Sequence, residues 1–180
     1  MVITPRSSTP SPGTQAAART PLTDVADDLD FPASPPVSPG ESLADDRFVL
    51  LDRLGEGGNA VVWRARDRMM RAMVAVKILR SADPDRQRRF MQEAEVLANI
   101  RHANVVRAFS RGVTSDGQPY VVLELVKGQS LRGRLDAGGP LPWREAVDIG
   151  TQIAAALAAL HARGVIHRDV KPDNIMLTTD

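Results

Sequence analysis

Apolar residues follow two rhythms along this chain. From Phe48 to Leu125 they come in short runs: Phe48-Val49-Leu50-Leu51, Ala60 to Arg66, Met73 to Leu79, Val105 to Val113 and Tyr120 to Leu125. Runs of this length, rich in branched and aromatic side chains, predict strands. Gly55-Glu56-Gly57-Gly58 separates the first pair and Ser115-Asp116-Gly117-Gln118 the last pair, and both are turn sequences. Asp83-Pro84 marks a helix start, with Phe90, Ala94 and Leu97 on one face and an end near Arg101. Further on the period changes. Ser130 is placed to cap a short helix to Ala137. Pro142 opens a longer helix with the stripe Ala146, Ile149, Ile153, Leu157 and Leu160, and Gly164 is its left-handed stop. The order predicts an α+β domain: five antiparallel strands with one helix inserted after the third, followed by a mainly helical part.

Composition divides the chain near residue 44. Residues 1–44 hold eight of the 13 prolines, with many Ser, Thr and Ala. Such a stretch cannot bury enough apolar surface to offset its ordering entropy, so residues 1–44 are expected to be a disordered tail and 45–180 the folded domain. Ser/Thr-Pro pairs begin at Thr4, Thr9, Ser11, Thr20, Ser34 and Ser38. They read either as phosphorylation sites or as the by-product of a solvated tether.

Charge and rare residues narrow the function. A hydrophobic content of 43% suffices for a core, and a net charge of +1 gives no electrostatic case for nucleic acid or an acidic membrane surface. No cysteine is present, which excludes disulfides and thiolate metal sites. His102, His161 and His167 lack zinc-site spacing. No membrane-length apolar run or secretion signal is visible, so the default location is the cytoplasm. Of the 23 basic residues only Lys77, Lys127 and Lys171 are lysine. Lysine is a compact point charge suited to reaching a single phosphate.

The densest chemistry lies in His167-Arg168-Asp169-Val170-Lys171-Pro172-Asp173-Asn174. It brings together a possible base, a phosphate-binding cation and an oxygen ligand for a metal. Upstream, Gly55-x-Gly57-x-x-Ala60-x-Val62 offers backbone N–H groups to phosphates, because glycines leave the approach clear. Val74-Ala75-Val76-Lys77 follows one strand later. In this order the segments resemble the protein kinase catalytic domain, with the H-R-D-x-K-x-x-N loop complete, the glycine loop altered at Ala60 and Val for Ile in V-A-I-K. The resemblance covers about residues 46–180. It is closest to the eukaryotic-like Ser/Thr kinases of bacteria, and the arginine and alanine bias fits a GC-rich genome.

The resemblance implies a small lobe over 45–126, the start of a large lobe over 127–180, and ATP and Mg²⁺ as cofactors. Asp169 orients or accepts the proton of a Ser or Thr hydroxyl, Lys171 steadies the γ-phosphate and Asn174 holds one Mg²⁺. Lys77 neutralises the α- and β-phosphates and pairs with a helix glutamate. That glutamate is Glu93, with Glu95 as rival. Arg168 is of the type that reads a phosphorylated loop. Gly55, Gly57 and Gly58 cradle phosphates. Leu54, Val62 and Ala75 roof the adenine and Leu123 closes its back. The backbones of Glu124 and Val126 read the adenine edge, and Ser130 reaches the ribose. The partners are ATP and a protein bearing Ser or Thr, without nucleic acid or a membrane segment. The Asp-Phe-Gly metal aspartate is expected about a dozen residues after Asn174, beyond Asp180. The residues present are therefore expected to bind nucleotide without completing the metal site. The stripe Ile149, Ile153, Leu157 and Leu160 is expected to face helices outside these 180 residues, leaving the chain by itself prone to aggregate. A nucleotide-binding pseudokinase scaffold is the alternative, and a small-molecule kinase of similar fold a third reading.

Overall fold

Strands pair wherever the alternating runs meet across a turn. The computed structural model describes residues 1–4, 38–57 and 59–179. Its strands are β1 (Val2–Ile3), β2 (Ser42–Leu43), β3 (Phe48–Gly57), β4 (Ala60–Asp67), β5 (Ala72–Leu79), β6 (Ala108–Val113), β7 (Pro119–Glu124), β8 (Gly128–Ser130) and β9 (Met176–Thr178). The helices are α1 (Pro84–Ala98), α2 (Leu131–Gly138) and α3 (Trp143–His161), and a 3-10 turn covers Pro172–Asn174. The five expected strands form one antiparallel sheet, extended at its edge by β2, in the order β2-β3-β4-β5-β7-β6. Pairing is unbroken from Ala60↔Leu79 to Asp67↔Ala72, whereas β3 slips register between Leu50 and Asp52 and between Arg53 and Gly55. The helix signals hold: the Asp83 carboxylate accepts from Asp85 N at 2.9 Å, Ser130 Oγ from Gly133 N at 3.0 Å, and Gly164 has φ 74°.

Period-two alternation gives the sheet two different faces. Val61, Trp63 and Ala65 of β4 bury with Val74, Val76 and Ile78 of β5 and with Tyr120 and Val122 of β7. Asp67, at the end of the same row, is also buried. Its carboxylate accepts from Arg47 Nη2 at 2.8 Å and from the backbone N–H groups of Met69 and Met70 at 2.9 and 3.1 Å. These bonds close the β4–β5 turn and satisfy the buried charge. The opposite face carries α1, through Ala94 packed on Ala108 and Val121.

A second core lies around α3, and there the structure departs from expectation. Met1 and Ile3 are buried together with Leu131, Ile149, Ala156, Leu160, Ile175 and Leu177. Strand β1 pairs in parallel with β9, Val2↔Met176 and Ile3↔Leu177, in a small sheet of order β1-β9-β8. Val2 N donates to Asn104 O at 3.1 Å. The Gln152 amide brackets Thr4, accepting from its N–H at 3.1 Å and donating to its carbonyl at 3.0 Å. Residues 1–4 and the β2 segment are thus folded, although the composition of 1–44 suggests a solvated tail. An average over 44 residues conceals the apolar Met1-Val2-Ile3. Residues 5–37, with the Ser/Thr-Pro pairs that begin at Thr9, Ser11, Thr20 and Ser34, lie outside the described residues.

The α3 stripe is likewise not left bare. Ile149 and Leu160 are buried, and Ile153 and Leu157 are half-buried against the same cluster. Ala146 turns out to be exposed, and Ala156, two turns beyond Ile149 on the same face, takes an inward position. Elsewhere on α3, Trp143 and Val147 are exposed. Among the described residues no helix is long and apolar enough to cross a membrane.

Candidate active site

The loop after α3 is folded on itself by its own polar groups. Asn174 Nδ2 donates to Asp169 Oδ2 at 2.8 Å and to the Asp169 carbonyl at 2.9 Å. Lys171 Nζ lies 3.0 Å from the same Asp169 Oδ2. Asp169 N donates to His167 O at 2.8 Å, and Arg168 between them takes φ 60°, a conformation that costs a non-glycine residue energy. Hydrogen bonds from Lys171 and Asn174 hold the Asp169 carboxyl below the usual carboxylate range. The side chain stays open to solvent, so it is an ionised acceptor at neutral pH.

Sheet register brings together the residues expected to face a nucleotide. Gly55 pairs with Val62, Val62 with Lys77, Ala75 with Leu123 and Lys77 with Val121. Directly opposed residues share a face, so Gly55, Val62, Ala75, Lys77 and Leu123 all lie on the face that carries α1. Leu54 sits in the bulge before Gly55 and is exposed. Gly58 lies outside the described residues.

Helix α1 sends its two candidate glutamates in different directions. Glu95 pairs with Arg111 of β6 at 3.2 Å, away from the loop. Glu93 faces a groove of about 330 Å³ shared with Arg89, Val96, Val165, Ile166 and Arg168. Arg89 was not among the residues singled out from the sequence; its spacing of four before Glu93 is the signal that places it on the same helix face. No ion pair joins Lys77 to Glu93 among the described residues, and both are exposed. The structure brings them to the same neighbourhood without closing the expected contact. His167 lies between the two parts. Burial pushes its imidazole below the usual range, the N-terminal ammonium and then Lys77 add to that effect, and Asp169 and Glu93 oppose it.

The linker between the two parts presents backbone rather than side chains. Glu124 N donates to Arg107 O at 2.8 Å. Val126 N–H and C=O have no intramolecular partner among the described residues, so they remain available to a ligand. Beyond it, Gly128 has φ 152°, and a Cβ there would overlap the Leu177 carbonyl. Ser130 Oγ is engaged as the α2 cap, which leaves only its O–H free to donate.

The donor set fits magnesium. Both bonds made by the Asn174 amide use Nδ2, so Oδ1 remains as a hard oxygen donor beside the Asp169 carboxylate. Among the described residues no cluster of three or more Asp, Glu, His or Cys groups could hold a metal. Asn174 Oδ1 and the Asp169 carboxylate would hold such an ion, and the described residues add no third acidic, histidine or cysteine donor beside them.

An antiparallel sheet with a single helix, joined through an open backbone linker to an Asp-Lys-Asn loop, defines the protein-kinase-like fold. Residues 48–180 match the protein kinase domain model, and the chain belongs to that family. It is 41% identical over 141 residues to a probable serine/threonine-protein kinase of Clostridium perfringens, covering 77% of this chain and 20% of that protein. It is 42% identical over 139 residues to the serine/threonine-protein kinase PknB of Mycobacterium leprae, covering 74% and 22%. The crystal structure of the Mycobacterium tuberculosis PknI kinase domain, as a double mutant, superposes with a TM-score of 0.73 at 28% identity, over 81% of this chain and 60% of that one. The chain thus spans about a fifth of the length of these curated relatives.

Proposed function

We propose that this chain is the nucleotide-binding part of a protein Ser/Thr kinase that transfers the γ-phosphoryl group of ATP to a protein hydroxyl. The observation that carries this reading is the Asp169–Lys171–Asn174 cluster, held together at 2.8 and 3.0 Å. In the transfer, the Ser or Thr oxygen forms the new bond to Pγ and the bond from Pγ to the bridging oxygen breaks. ADP leaves with that electron pair, and the hydroxyl proton goes to Asp169. Lys171 swings from Asp169 to the γ-phosphate, and Lys77 meets the α- and β-phosphates. Glu93 approaches Lys77 when the cleft closes. Val126 and Glu124 read the adenine edge through backbone groups, between Leu54, Val62 and Ala75 above and Leu123 behind. Bound at Asn174, Mg²⁺ would neutralise phosphate charge. A nucleotide substrate fits a cytoplasmic location for this part of the protein.

A second reading, a nucleotide-binding pseudokinase, is favoured by one observation, the unpaired Lys77 and Glu93. Asp169→Asn in the full-length protein separates the two. On the kinase reading, transfer to a Ser/Thr peptide falls by about 100-fold or more while ATP affinity is kept. Turnover that survives the substitution overturns the role of Asp169. Absence of transfer in the parent, with ATP still bound, would favour the scaffold.

A further inference from the structure

We propose that Glu56 is a positioning residue, setting the pose of the glycine-rich loop through two arginines. This rests on the reading that the loop covers nucleotide phosphates. The two described loop glycines have open space beside them: an added Cβ would meet nothing within 4 Å at Gly55 or Gly57. Polar ties are what join it to its surroundings, and they run to Arg53 of β3, to Arg80 just past β5 and to Arg86 of α1. Glu56 Oε2 accepts from Arg53 Nη1 at 3.1 Å, and Glu56 Oε1 pairs with Arg80 Nη1. Arg53 is itself fixed, with its guanidinium 5.1 Å from the centroid of the buried Trp63 ring. Arg80 N donates to Asn59 O at 2.8 Å, and Arg86 Nη1 of α1 donates to Asn59 Oδ1 at 3.3 Å.

One carboxylate thus bridges a strand arginine before the loop and another after it. Without that bridge the loop samples more conformations, and nucleotide binding must order it at the expense of affinity. A purely electrostatic role makes the opposite forecast for one variant. Glu56→Gln would remove a negative charge near the phosphates and tighten binding, whereas Arg80→Gln would weaken it.

The test measures affinity of the full-length protein for MgADP and for adenosine, in Glu56→Gln, Arg80→Gln and the double variant. We expect both single variants to weaken MgADP by about two- to five-fold, the range set by exposed ion pairs. The double variant should be no weaker than the single ones, because they break the same bridge. Adenosine affinity should be unchanged, since adenosine has no phosphates for the loop to cover. In transfer assays KM for ATP rises while kcat holds, the deficit narrows at about 0.5 M salt, and Arg80→Lys recovers most of the affinity. Opposite signs for the two single variants would overturn the proposal in favour of simple charge. Equal losses for MgADP and adenosine would overturn it in favour of a general structural defect. A parent that binds neither ligand refutes the nucleotide reading itself, and this inference with it.

Discussion

The six-stranded sheet and the α3 region are built by opposite routes. In the sheet, most buried side chains come from hairpin neighbours, as in Trp63 beside Val76 and Val61 beside Ile78. In the α3 region, Met1 and Ile3 bury against residues from Ile100 to Leu177. The sheet satisfies its charges internally, as Asp67 shows. The α3 region instead exposes an ionised cluster at Asp169, Lys171 and Asn174. Local pairing gives a rigid platform. Long-range pairing gives a surface where polar groups stay accessible to a substrate, at some cost in local stability.

The comparison breaks most severely at the centre of the platform. Trp63→Ala should destabilise the fold by about 3–5 kcal/mol, read as a shift of the urea midpoint. Among the described residues, Trp63 Nε1 is buried without a partner. Trp63→Phe should therefore cost far less, within about 1.5 kcal/mol, because the lost volume is partly offset by removal of an unsatisfied donor. Equal losses for the two variants would show that ring volume alone decides.

Ile3→Ala probes the other region and should cost about 2–4 kcal/mol. Hydrogen exchange sharpens the contrast. Protection should fall at Ile175–Thr178, on the edge that β1 covers, and hold in β4 and β5. Uniform loss across both regions would mean that they unfold as one unit.

The smallest effect tests charge burial in the sheet. Hydrogen bonds from Arg47 hold the Asp67 carboxyl below the usual range. Its stabilisation is full above the unfolded value near 4 and is lost as pH falls through the lower folded value. Asp67→Asn should cost about 2 kcal/mol at pH 7, and the gap to the parent should narrow at pH 3. A gap independent of pH would mean that Asp67 acts through shape rather than charge.

Much of the platform is written locally. Alternation in β4 and β5, the Asp83 and Ser130 caps and the stop at Gly164 depend on neighbours a few residues away, and all appear where the pattern places them. The Asp169–Lys171–Asn174 cluster is also local, since these residues need only their spacing to meet. The edge strand β2 and the inward turn of Ala156 are not legible, because each depends on which neighbour arrives to cover it. The burial of Asp67 is equally hidden: nothing in its immediate sequence distinguishes it from an exposed turn aspartate.

By itself, then, the sequence determined the strand-helix order, the caps and the motif residues, because these follow from short-range sterics and periodicity. Only the tertiary structure decided that Glu95 turns to Arg111 while Glu93 faces the groove, and that among the described residues no ion pair joins Lys77 to Glu93. It alone decided that Glu56 ties the loop to Arg80 and that Met1–Thr4 returns to the edge of β9. Such contacts join residues tens to more than a hundred positions apart. Many alternative partners exist at that separation, and only packing and charge in three dimensions select among them.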